Sequence, residues 1–503
     1  MLTLFPLSFY YKADVAKITS NAYTITSYIW PELNYIAPHV LQYEQEKQIR
    51  NIEKDEIYQK CITTSTNGGQ QRKIRLGVIS ATISEGHSVS EDFGGILSGL
   101  DRTKFDVTYI NVHEGSYSDP STSAKFLTMN KEDSLHHYFK NPMEQNSGST
   151  FIKRIATDIL QDHAPFDMIL YLDLTMSTFI RRLGMMRLAP IQINTHGHPV
   201  TSGHPSSVIQ YFISWAEAEL PIEESQKHYT EQLQLIPNGK IHQYYTPRVL
   251  VEVTEEKNGR RFDHLTRNDF HELPTYIKSS NEIDTYSNNI NLYVCMQKPF
   301  KVFPEFDELV CGILKKDPKG HVILHKPESK SGGYNHHELT FVQRMISAGC
   351  DMERIHFISA QPPHKLLKLY STANVVLDSY PAGGCTTTRE ALELGKAVVT
   401  WPARLLGGRW TLGLYTIIGI TEKIKSKLIA SNVNEYITMA VNIGTNHTLR
   451  HEIEVEIKSK TESNLFYRKE AIAEWEKILL KVSPVKQCNN DNIDNNDDVK
   501  DEL

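Results

Sequence analysis

The sequence predicts an α/β protein: two doubly wound domains facing across a cleft, followed by C-terminal helices. Three observations point there. From Lys73, short apolar runs such as "KIRLGVIS", "FDVTYINV", "FDMILYLDL", "IQINTH", "VIQYFIS" and "LQLIP" alternate with helix-like stretches such as "SEDFGGILSGL" and "MSTFIRRLGMMR". A polar interval breaks the pattern, and the alternation resumes with "NLYVCMQ", "HVILHK", "RIHFIS", "NVVLDSY" and "KAVVTW". Strands that are apolar at nearly every position belong to parallel sheets covered by helices on both faces. At 503 residues the chain also exceeds the size at which one core keeps growing.

The elements then follow in order. Residues 1–72 form an N-terminal helical extension, with "LQYEQEKQIRNIEKDEIYQK" its charged helix and "TTSTNGGQQ" its closing turn. Residues 73–245 make the first Rossmann-like domain, 246–290 a linker or insertion, and 291–420 the second Rossmann-like domain. Residues 421–483 are helical, with "NLFYRKEAIAEWEKILLKV" the clearest helix, and 484–503 form a disordered acidic tail. Two such domains in tandem place a ligand between them, at the carboxyl ends of the strands.

Composition narrows the partners. A formal net charge of -6 without a dense basic block argues against nucleic acid or an anionic membrane. No apolar stretch approaches the ~20 residues of a membrane span, so no transmembrane segment is expected. The start, "MLTLFPLSFYY", lacks the basic n-region and clear cleavage site of a secretory signal, whereas the end, Lys500-Asp501-Glu502-Leu503, matches the address that retains proteins in the endoplasmic reticulum lumen. Lumenal residence is the expectation if that address operates, and a cytoplasmic location is the alternative. Six cysteines without C-x-x-C spacing read as mostly free thiols, with neither a disulfide framework nor a zinc site.

Four stretches carry candidate chemistry. In "DSYPAGGCTTTREALELGKAVV", Gly383 and Gly384 follow a strand and a helix starts near Thr386. Free N–H groups at that start favour an anion, although Thr387-x-x-Glu390 also fits a capping box that needs no ligand. In "APIQINTHGHPVTSGHPSSVIQYFIS", a loop dense in Gly, Pro, Thr and Ser carries His196, His198 and His204; without a Cys or carboxylate completing a metal set, it reads as a substrate-shaping loop. In "GVISATISEGHSVSEDF", His87 is placed to relay a proton in the cleft, or is an exposed loop histidine without a role. In "VCMQKPFKVFPEF", Gln297 offers an amide, and Lys298 or Lys301 offers a charge for a diphosphate.

These four stretches, in this order, resemble the O-linked N-acetylglucosamine transferase and SPINDLY family of glycosyltransferases, which includes bacterial N-glucosyltransferases. The closest motifs are Ala189-Pro190-Ile191-Gln192 with Gly197-x-Pro199-x-Thr201-Ser202-Gly203, and "LDSYPAGGCTTTREALELGKAVVTWP". The resemblance runs from Lys73 to the C-terminal helices and implies the GT-B fold, with an acceptor-side domain first and a nucleotide-sugar domain second. It implies transfer of GlcNAc or another hexose from a UDP-sugar to a protein acceptor, inverting, with no metal and no separate cofactor. Residue by residue, it implies diphosphate binding by Thr386 and Thr387 beside Gly384 and Cys385, and ribose binding by Glu390. It also implies donor contacts by Gln297 and Lys301, with a spacing shift that leaves Lys298 open, an active-site histidine at His87, and a substrate loop with Gly197, His198, Pro199, Thr201 and Ser202. Cys385, His198 and Pro363 depart from the family pattern, and no tetratricopeptide array precedes the domain, so acceptor recognition by such a superhelix is not expected. Transfer to a glycan or small molecule, and an inactive nucleotide-sugar-binding scaffold, are the alternatives.

Overall fold

A computed structural model of the chain describes residues 14–52, 72–83, 87–113, 130–139, 150–248, 270–274, 290–327 and 335–485. Most of the 246–290 interval, Cys61, Cys488 and the C-terminal tetrapeptide lie outside these residues.

The first domain is a seven-stranded parallel sheet. Its strands are β1 (Ile74–Ser80), β2 (Phe105–His113), β3 (Ser134–Phe139), β4 (Met168–Tyr171), β5 (Ile191–Thr195), β6 (Tyr211–Trp215) and β7 (Gln232–Ile236), in the order β3-β2-β1-β4-β5-β6-β7. Strands β4 and β5 are buried at every residue, which explains why they read as continuous apolar runs. Edge strand β3, "SLHHYF", has only one buried residue, and no apolar run marks it in the sequence. The second domain is a five-stranded parallel sheet of β8 (Asn291–Cys295), β9 (Gly320–His325), β10 (Ile355–Ile358), β11 (Val375–Leu377) and β12 (Val398–Val399), ordered β10-β9-β8-β11-β12. The order in which strands are added therefore reverses once in each sheet, between β1 and β4 and between β8 and β11. Each reversal opens a crevice beyond the strand ends, and the loops after β1, β8 and β11 feed those crevices.

Two N-terminal helices, α1 (Val15–Ile29) and α2 (Pro38–Ile52), pack on the first domain. The first of these lies within the expected helical extension but is not singled out in the sequence, because β-branched Thr, Val and Ile give it a weak helical signature. Leu33, between the two helices, enters the same cluster as Ile79, Phe151 and Ile169, and Arg182 stacks 4.4 Å over the Trp30 ring. Helix α3 (Ser88–Gly99) follows β1.

The last helix, at Glu470–Val482, returns to the first domain. Its buried Ala471, Trp475, Ile478, Leu479 and Val482 share one face, and Trp475 Nε1 donates to the His242 carbonyl at 2.8 Å. One continuous apolar cluster thus joins both sheets and this helix. The expectation of mostly free thiols needs one correction: Cys311 and Cys350 form a disulfide, with Cα atoms 4.6 Å apart. They are separated by 39 residues and meet only when two neighbouring helical segments pack, so no spacing announces the pair. Cys295 and Cys385 are free thiols. Among the described residues no helix is long and apolar enough to cross a membrane.

Candidate active site

The carboxyl edges of the two sheets enclose a cavity of ≈ 450 Å³, lined from the first domain by Ser88, Asp92, Gly197, His198 and Pro199 and from the second by Gln297, Lys301, Cys385, Thr386 and Thr387. Its second-domain wall is held from behind by buried Asp378, just past β11. This carboxylate accepts from the Gly384 N–H at 2.8 Å and from the hydroxyls of Thr400 and Thr411 at 2.8 and 2.7 Å. Those donors fix the glycine turn, and a Cβ on Gly383 would come within 2.6 Å of the same carboxylate. Burial raises the Asp378 pKa, while its hydrogen bonds and nearby Lys301 pull it down.

The turn delivers the helix Thr386–Glu393, with Cys385 as N-cap. No side chain caps its first turn, so the positive end of the helix meets the cavity with N–H groups uncommitted to a cap. This overturns the capping-box reading. The helix begins at Thr386, which puts Thr387 and Glu390 inside it rather than at its cap. The Thr387 hydroxyl instead meets Gln297 Nε2, and the Glu390 carboxylate pairs with Arg248. Lys301, on the short turn Pro299–Lys301 after β8, donates to Gln297 Oε1 at 3.0 Å and to the Gly383 carbonyl at 3.3 Å. Desolvation lowers its pKa, and the Asp378 carboxylate opposes that shift. Lys298 lines the cavity as well.

The first-domain wall is built differently. Gly197, His198 and Pro199 line the cavity, but Thr201 and Ser202 are buried behind it. Glu231 holds them: its carboxylate accepts from Thr201 Oγ1 at 2.6 Å, the Ser202 N–H at 2.9 Å and Asn194 Nδ2 at 3.2 Å. The three histidines also have separate partners. His198 Nδ1 meets the Thr175 hydroxyl, His196 contacts Gln243, and His204 Nε2 lies 3.0 Å from the Arg181 carbonyl. Burial pushes His196 down to about 4 and His198 and His204 to about 3, so all three are neutral at neutral pH. Among the described residues no three His, Cys, Asp or Glu side chains are grouped to hold a metal ion.

His87 borders the cavity without lining it. It caps α3, its Nδ1 accepting from the Val89 N–H at 3.3 Å, and burial lowers its pKa; the neighbouring Ser88 reaches the cavity. Asp173 steadies the start of this loop, accepting from Ser80 Oγ at 3.1 Å and the Ala81 N–H at 2.9 Å. Glu390 is buried and does not line the cavity, and Arg248 bridges it to Glu91 on α3.

Sequence reasoning passed over several residues of this cleft. Asp92 lines it, with one oxygen 3.4 Å from Thr386 Oγ1. Arg389 approaches Asp92 to 3.6 Å and lies 4.3 Å over the Tyr245 ring. Trp410 lines it and stacks on His242 at 5.3 Å. Charged residues at inward positions of the two helices that open on the cleft, in "SEDFGG" and "TTTREAL", are the signal that could have found Asp92 and Arg389.

Comparison with known proteins finds relatives in sequence and in fold. Residues 271–474 match the model of glycosyl transferase family 41. A probable UDP-N-acetylglucosamine–peptide N-acetylglucosaminyltransferase SPINDLY of Petunia hybrida is 24% identical over 299 residues, 59% of this chain and 27% of that protein. The corresponding protein of Arabidopsis thaliana is 22% identical over 77% of this chain and 37% of its own length. A UDP-glucose:protein N-beta-glucosyltransferase of Actinobacillus pleuropneumoniae is 26% identical over 53% of this chain and 36% of its own length. The chain thus spans 27% to 37% of the length of these relatives. A solved structure of a mutant Thermobaculum terrenum O-GlcNAc transferase superposes with a TM-score of 0.58 at 20% identity, covering 81% of this chain and 67% of that one, which shows a shared GT-B fold. Residues 271–474 are thus similar to glycosyl transferase family 41, the chain as a whole resembles O-linked N-acetylglucosamine transferase and SPINDLY-like glycosyltransferases, and its architecture is the GT-B fold.

Proposed function

We propose that this chain transfers a sugar from a UDP-sugar to a protein side chain, with inversion and without a metal ion. One observation carries the reading: the uncapped start of the helix Thr386–Glu393 meets the cleft beside Lys301 and Gln297 at a sheet's switch point. That is a ready-made anion site. The names of two relatives, one a probable UDP-N-acetylglucosamine–peptide N-acetylglucosaminyltransferase and one a UDP-glucose:protein glucosyltransferase, favour a UDP-sugar as that anion and protein as acceptor.

The chemistry follows from where charge develops. As the bond from the sugar to the diphosphate breaks, negative charge grows on the β-phosphate. Helix N–H groups, the hydroxyls of Thr386 and Thr387 and the Lys301 ammonium stabilise that charge, so positive charge comes from the protein itself. The acceptor approaches from the first-domain side, opposite the diphosphate, and a single displacement there inverts the anomeric carbon. Fixed donors of this kind need no reorganisation as charge develops.

A panel of UDP-sugars, scored for hydrolysis and for labelled sugar entering protein or released oligosaccharide, tests the proposal. Incorporation into protein from one UDP-sugar is expected. Incorporation only into oligosaccharide would move the acceptor class, and binding without turnover would make the chain a scaffold.

A further inference from the structure

A site made to hold a diphosphate has little reason to keep a buried carboxylate at its edge, yet Asp92 sits there, brought by α3 of the opposite domain. Its Oδ2 accepts from the Thr386 hydroxyl at 3.4 Å. Its Oδ1 is buried and accepts no hydrogen bond; the nearest cation is Arg389, 3.6 Å away. Thr386 has one hydroxyl hydrogen. Once that hydrogen turns to a phosphate oxygen, Asp92 has no hydrogen bond left and faces a second anion.

We propose that Asp92 is a proton-carrying residue of the donor site: as a nucleotide-sugar diphosphate enters, Asp92 takes one proton from solvent and turns its O–H onto a diphosphate oxygen. The inference rests on the cradle being the diphosphate site. The proton balance is simple: a carboxylate and a proton from the buffer become a carboxylic acid, and no other bond changes. The cleft thereby exchanges a repelling charge for a donor.

The surroundings favour this. Burial holds Asp92 at about 6 in the free protein, with Arg389 and the Thr386 hydroxyl pulling the other way. Arg389 is shared, since it also stacks on Tyr245 and lies 4.0 Å from Glu91. Of the other groups facing Asp92, Cys385 is a thiol that burial keeps protonated, and Glu390 is tied to Arg248. A diphosphate adds a like charge and raises Asp92 further. The sign follows: donor binding is strongest below about pH 6 and weakens as pH rises, by up to about tenfold per pH unit, until the pKa of the complex is passed.

The test is calorimetric titration of the full chain with UDP-N-acetylglucosamine and with UDP-glucose, in buffers of different ionisation enthalpy, at about pH 7.5 and about pH 5. These donors are esterified at both ends of the diphosphate and take up no proton themselves near neutrality. The expected result is close to one proton taken up per donor at the higher pH and little at the lower. Asp92→Asn should take up none and bind at least as tightly at the higher pH. Binding without proton uptake by the wild type overturns the proposal and leaves Asp92 an ionised partner of Arg389; that count decides even if Asp92→Asn does not fold. Uptake unchanged in Asp92→Asn overturns it too, by assigning the proton elsewhere. No binding of either donor sinks the reading of the cradle, and the proposal with it.

Discussion

Two glycine-rich loops face each other across the cleft, and similar composition conceals opposite construction. The first-domain loop, 196–204, turns its polar atoms inward: Glu231 holds Thr201 and Ser202, and each histidine has a partner of its own. The second-domain loop, 383–387, is held from beneath by Asp378 and leaves the start of a helix uncapped toward the cavity, beside Lys301. Gly, Pro and Thr permit both designs. What separates a scaffold from a cradle is where the hydrogen bonds go.

The largest effect should come from the cradle. Lys301→Ala removes a fixed donor from the developing charge and should slow transfer about a hundredfold or more, roughly 3 kcal/mol, while the thermal melt stays close to that of the wild type. Transfer at wild-type rate by the purified variant would remove Lys301 from the mechanism. The mirror experiment is Glu231→Ala. It strands three buried donors and should cost about 3 kcal/mol in urea unfolding, a loss of stability before any specific loss of UDP affinity.

A paired substitution sharpens the contrast at smaller amplitude. A Cβ on Gly197 runs into the Leu172 carbonyl, which is backbone and cannot step aside, so Gly197→Ala should cost about 1–3 kcal/mol of stability. A Cβ on Gly384 meets side-chain ends instead, the Thr387 and Thr388 hydroxyls and, at 2.6 Å, Gln297 Nε2. These can rotate, but only by spoiling the cradle, so Gly384→Ala should weaken UDP binding about tenfold with a smaller shift in melting. Equal effects of the two on binding and stability would erase the distinction.

Legibility in the sequence followed the same divide. Both sheets could be read from apolar runs because strands buried on two faces leave a continuous signal, whereas β3, half exposed at an edge, left none. The Gly/Thr turn and the Gln297 to Lys301 segment were visible because glycines, threonines and lysines cluster locally. Asp92 was not, since its meaning comes from Thr386, 294 positions away. Nor was Glu231, which acts on residues 29 and 30 positions earlier. Arg248 closes on Glu91 and Glu390 only when the domains meet. A capping box was a fair local reading of Thr387-x-x-Glu390, and it failed because long-range partners claimed both side chains.

The two loops should also differ in pH response. The loop histidines are held neutral well below the ordinary value of 6.5, so the stability they support is present above that value and is lost as pH falls toward 4 and 3. Asp378 runs the other way: its pKa is raised, so acid relieves it. Melting temperature should therefore drop on acidification from about pH 7 to about pH 5, and His204→Asn should flatten the slope by up to about one proton. An unchanged slope would mean that the loop histidines do not govern acid stability.

A crystal structure of the chain with UDP tests the placement of the diphosphate most directly. The diphosphate is expected against the N–H groups of Thr386 and Thr387, with the Lys301 ammonium within hydrogen-bonding distance of the β-phosphate. UDP bound elsewhere, or bound in the cleft with its β-phosphate turned away from that helix, would contradict it.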